Sequence, residues 1–145
     1  MALSALLWLS GCTLATGVAP GAEDPRSVLE ARLVEAQESQ AAALTLWDRV
    51  IFGELVACHE AIPVPAPVAL TATVRAAYPD TAAAADALNE ALRALQASSD
   101  LWTIECADPR DAVPLSMARE GRANALAAEA PLDEAAALLA SWTPP

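Results

Sequence analysis

Lysine is absent from the 145 residues, and phenylalanine, histidine and tyrosine occur once each, as Phe52, His59 and Tyr78. A single imidazole leaves little for serine-type nucleophilic catalysis, and no Ser sits in a strand–turn–helix elbow. Glycine, at 5 residues, is too scarce for a loop that cradles phosphate, and the nucleotide and dinucleotide motifs are missing. Positive charge is also scarce. The 8 Arg face 19 Asp and Glu, for a formal net charge of -11, and such a surface repels phosphate backbones and anionic headgroups. Nucleic acid is therefore not an expected partner. Carboxylates are so plentiful that no particular pair stands out for acid–base work.

Hydrophobic residues make up 55% of the chain, too many for a disordered acidic tail. Much of that share is alanine, which buries little area per residue, so the core must lean on a few Leu, Val, Ile and Trp. The length suits one small domain.

Charge is missing altogether from the first 22 residues. Ala2 to Leu9 is an apolar run too short to span a bilayer, which takes about 20 residues, and it suits the core of an export leader. Leu9-Ser10-Gly11-Cys12 directly follows and resembles the lipobox of bacterial lipoproteins. The resemblance implies cleavage after residue 11, acylation of Cys12 as the first mature residue, and a membrane partner reached through lipid. Several acyl chains hold stably where one is marginal. Thr13, with no Asp after the Cys, implies the outer membrane where that sorting rule applies, facing the periplasm or the surface. The chain departs from the pattern in having no Arg before Arg26. An uncleaved helix over residues 1–20, or an ordinary leader beside a plain thiol, are the alternatives. Residues 12–24, with Gly, Pro and Thr and no periodicity, read as a flexible tether to a domain over 25–145.

With Cys12 acylated and the chain exported, Cys58 and Cys106 are left as a pair in an oxidising compartment, and a disulfide between them is expected. That bond would bring Glu105 and Asp108 near His59 and Glu60, a conceivable metal site. Zinc would favour free thiolates, which a disulfide consumes, so no metal is expected. Leu55 to His59 reads LVACH, with Leu55 where covalent haem attachment needs its first Cys. No cofactor is expected.

The helical pattern is strong. Asp24-Pro25 opens a helix expected to run to about Ala61, with Leu33, Gln40, Leu44, Trp47, Ile51, Leu55 and Cys58 on one stripe that reaches solvent at Gln40. Ile62 to Val68, with alternate prolines, is a crossover linker. Residues 68–78 fit a strand or a short helix, with helix favoured. Pro79-Asp80 opens a second long helix, expected to break or cap at Ser98 to Asp100, after which 101–108 show no decisive period. Two more helices are expected over about 112–129 and 131–142. Trp47, Trp102 and Trp142 fall on separate elements and are expected to centre the core.

The expected fold is all-α: a small bundle of three to five helices with one internal disulfide. The first functional expectation is a noncatalytic envelope lipoprotein, an accessory or scaffold for another envelope protein. A periplasmic ligand or metal carrier using His59 comes second. A small enzyme comes last, since no catalytic constellation is visible.

Overall fold

The computed structural model describes residues 24–108 and 112–142. The leader, the lipobox with Cys12 and the tether through residue 23 lie outside the described residues. Five helices follow in order: α1 (Pro25–Ile51), α2 (Ala72–Ala77), α3 (Pro79–Ala107), α4 (Leu115–Ala127) and α5 (Glu129–Ser141). The fold is all-α, with Cys58 bonded to Cys106.

The side-chain partners fix the topology. Leu29 and Ala36 pack with Ala84 to Leu95, while Ala43 to Trp47 pack with Trp102, so α1 and α3 run parallel. Helices α4 and α5 run the other way as one broken rod. Gly121 and Ala118 sit by Trp47, Gln40 donates to the Ala125 carbonyl at 3.2 Å, and Arg26 lies 5.2 Å from the Trp142 ring centre. The break is at Ala128, and Pro131 follows as the third residue of α5. First-turn amides have no intrahelical acceptor, so proline costs no hydrogen bond there.

Two parallel helices cannot be joined by a tight turn. The chain solves this with residues 52–71, which run back along α3. Trp102 Nε1 donates to the Glu60 carbonyl at 2.6 Å, and Ser99 Oγ donates to the Ile62 carbonyl at 3.3 Å. Further along, the Asn89 amide brackets Val68, accepting from its N–H at 2.8 Å and donating to its carbonyl at 2.9 Å. Eight residues of polyproline chain span about 25 Å. Thirteen residues of helix, from Asn89 to Trp102, span about 20 Å. The strap is thus nearly straight. Its prolines have no N–H to leave unsatisfied, and Ile62 and Val68 turn inward to be buried.

Several elements differ from expectation. Helix α1 stops at Ile51, ten residues early, and its buried face is Leu29, Ala36, Ser39, Ala43, Leu46 and Trp47. Half of that face is small, Ala36, Ser39 and Ala43, where α1 lies close to its neighbours. Gln40 does not simply reach solvent but holds a carbonyl near the end of α4. Helix α3 does not break at Ser98. The Ser98 hydroxyl is fully buried, accepts from Trp47 Nε1 at 2.9 Å and donates to the Gly121 carbonyl at 2.8 Å. Bonded across the bundle, it does not compete for its own helix backbone. Of residues 68–78, just 72–77 are helical, capped by the Thr71 hydroxyl on the Val74 N–H. Trp142 is half-buried beside Arg26, so Trp47 and Trp102 alone centre the core, edge to face at 5.7 Å.

Candidate functional site

The end of the bundle where α1 stops gathers most of the chain's unusual features. Gly53 adopts φ +81°, the left-handed conformation that suits glycine after a helix. Its N–H reaches the Val50 carbonyl at 3.0 Å and the Glu54 N–H reaches the Arg49 carbonyl at 2.9 Å. This is a Schellman stop. The apolar contact that usually joins its ends is replaced by an ion pair, Arg49 Nε to Glu54 Oε2 at 3.0 Å.

The same guanidinium grips Glu60 with two further nitrogens, at 2.5 and 3.3 Å. Hydrogen bonding to Arg49 holds the Glu60 carboxyl below its ordinary value, and Glu60 and Glu54 together raise Arg49. Residues 52–60 are therefore pinned by the helix stop, by Arg49, by Trp102 on the Glu60 carbonyl, and by the disulfide, whose Cα atoms are 5.4 Å apart. Several independent restraints on nine residues leave the loop with a defined shape.

That loop, α4 and the end of α3 enclose a pocket of about 330 Å³. Its wall is mostly apolar, including Val50, Ile51, Val56, Trp102, Val113 and Leu115, with Glu54 and Glu105 among the lining residues. Two of the lining side chains are strongly exposed, Leu55 at 93% and Leu115 at 47%, and Phe52, between the lining residues Ile51 and Gly53 in sequence, is 82% accessible. Scattered exposed leucines are ordinary, but large apolar side chains grouped around a concavity mark a contact surface. The chain's one phenylalanine sits outside its core.

The four residues weighed as a conceivable metal site do not converge. Glu60 is committed to Arg49, His59 and Asp108 are exposed, and Glu105 is buried with an interaction of its own. Among the described residues no group of three or more His, Cys, Asp or Glu is placed to hold a metal ion. Cys58, bonded to Cys106, has no thiol to offer a haem. Leu55 and Cys58, expected on the buried stripe of α1, lie in the loop and are exposed. Sequence reasoning missed Phe52, Leu55 and Leu115 as a surface. Gly53 carried the signal: a helix stop there moves Leu55 off the stripe and into solvent.

Among the described residues no helix is long and apolar enough to cross a membrane. No family model, no curated protein and no solved structure matches the chain.

Proposed function

We propose that the chain is an accessory lipoprotein of a bacterial envelope, anchored through Cys12, which acts by docking onto another envelope protein and performs no chemistry of its own. The lipobox-like run Leu9 to Cys12 supports the anchor, and the -11 charge favours a protein partner over nucleic acid. The observation that carries docking is the exposure of Leu55 and Leu115 on a pocket whose loop wall is braced, with exposed Phe52 next to the lining residues Ile51 and Gly53 in sequence. Keeping such side chains in water is unfavourable by about 25 cal/mol per Å² relative to covering them. A wall already held in shape also loses little freedom when a partner covers it.

Two measurements test the proposal. A radiolabelled fatty acid should enter the wild-type chain and fail to enter Cys12→Ala; equal labelling removes the anchor. Leu55→Asp should leave the far-ultraviolet circular dichroism unchanged, since Leu55 is exposed, and abolish co-migration with membrane proteins on native gels. A folded Leu55→Asp chain that keeps its complex removes docking at this end.

A further inference from the structure

We infer that the partner segment received at this end is a cationic amphipathic stretch of protein, one bulky apolar side chain entering the pocket and its basic residues lying over the rim; this rests on the docking function proposed above. The pocket, at about 330 Å³, is at the low end for a small-molecule site. It suits a single large anchor of the kind that carries most of the energy in a protein interface. Leu55 and Leu115 line it with exposed apolar side chains, and Phe52, next in sequence to the lining residues Ile51 and Gly53, is exposed as well.

The charge sets the sign of the partner. Among the described residues none of those lining the pocket is basic, while Glu54 lines it, as does Glu105, which has an interaction of its own. Arg49, beside it, is shared between Glu54 and Glu60, so that trio keeps one negative charge. Both carboxylates stay partly accessible, at 58% for the Glu54 side chain and 36% for Glu60. Asp108, at the end of α3, is exposed, and among the described residues Arg119 lies one turn past Leu115 on α4. Beyond the rim the chain's -11 charge extends the same field. A second copy of the chain would bring another -11 against it, and an anionic peptide would be repelled. A basic segment is drawn in, and its apolar face then covers the exposed apolar side chains.

The test uses the full chain carrying Cys12→Ser, so that neither acyl group nor detergent competes, and dye-labelled peptides read by fluorescence anisotropy. The probes are a Leu/Lys amphipathic helix, its Leu/Glu counterpart with the same apolar face, and an Ala/Lys helix with the same charge. The Leu/Lys helix should bind saturably. Leu55→Asp and Phe52→Ala should each weaken it about tenfold, the loss typical of a central interface residue. Added salt should weaken it further, and the other two peptides should bind at least tenfold more weakly. Equal binding of the Ala/Lys helix, or indifference to both variants, would show bulk charge attraction and overturn the inference. Leu55-dependent binding of the Leu/Glu helix would overturn the basic partner and leave docking intact. Palmitate that competes with the Leu/Lys helix for the pocket would make it a lipid site and overturn the inference. Loss of docking itself is read separately, from the native-gel complex with Leu55→Asp.

Discussion

Gly121→Ala sets two effects against each other, and their sizes decide the outcome. Gly121 is buried inside α4, and on helix propensity alone alanine would stabilise that position by about 1 kcal/mol. A Cβ there would overlap the Trp47 indole at Cε2 and Cζ2 and lie 2.7 Å from Cδ2. The ring has nowhere to go: it is fully buried, its N–H is tied to Ser98, and Trp102 packs on it edge to face. Overpacking costs roughly 1–3 kcal/mol, and a rigid ring met by a helix backbone belongs at the upper end. The net effect is then a loss of about 2 kcal/mol, or roughly 8 °C in the melting midpoint for a domain of this size. Urea titration followed by circular dichroism should show a lower midpoint at unchanged slope. Trp47→Leu removes the obstacle, at its own cost, and in that background Gly121→Ala should become neutral or stabilising. A Gly121→Ala chain at least as stable as its parent would refute close α1–α4 contact as the reason for glycine. Equal losses in both backgrounds would refute the Trp47 coupling.

Three other outcomes are expected. Replacing Cys58 and Cys106 together by Ala opens a link between residues 48 apart, and denaturation should show a loss of about 4 kcal/mol on the chain-entropy model. Asn89→Ala removes both bonds to Val68 and should cost about 2 kcal/mol, with faster hydrogen exchange at the Val68 amide; Asn89→Asp, which still accepts but cannot donate, should lose about half as much. The acid limb of stability should belong partly to Glu60 and Asp86, whose carboxyls are held below their ordinary values of 4.5 and 3.8 by hydrogen bonds to Arg49 and Arg75. A depressed folded value means the unfolded chain binds more protons, so their contribution is complete above the ordinary values and vanishes as pH falls through the folded ones. Melts across that range should fall less steeply for Glu60→Gln with Asp86→Asn than for the parent, and parallel curves would contradict the assignment.

The helical class, the start of α1 at Asp24-Pro25, the start of α3 at Pro79 and the Cys58–Cys106 pair were legible in the chain, because caps, prolines and cysteine parity act locally. Other features depend on contacts far apart in sequence. Ser98 reads as a helix breaker until Trp47 and Gly121 are seen to take up its hydroxyl. The leucines of α1 outrank its alanines in any hydrophobicity pattern, yet Ala36 and Ala43 face the core because the helices lie too close there for larger side chains. The candidate site was hidden for a simpler reason. An uninterrupted stripe through Gly53 placed Leu55 in the core, whereas the left-handed turn at Gly53 turns the chain out and leaves Leu55 in solvent.

Docking through the braced end is tested most directly by photocrosslinking in living cells, with a photoreactive residue at Leu55 compared with one at Ala137, exposed on α5. A discrete adduct with one envelope protein should form from position 55, disappear with Phe52→Asp, and be missing from position 137. Equal adducts from both positions, or none from position 55, would contradict a working surface at this end.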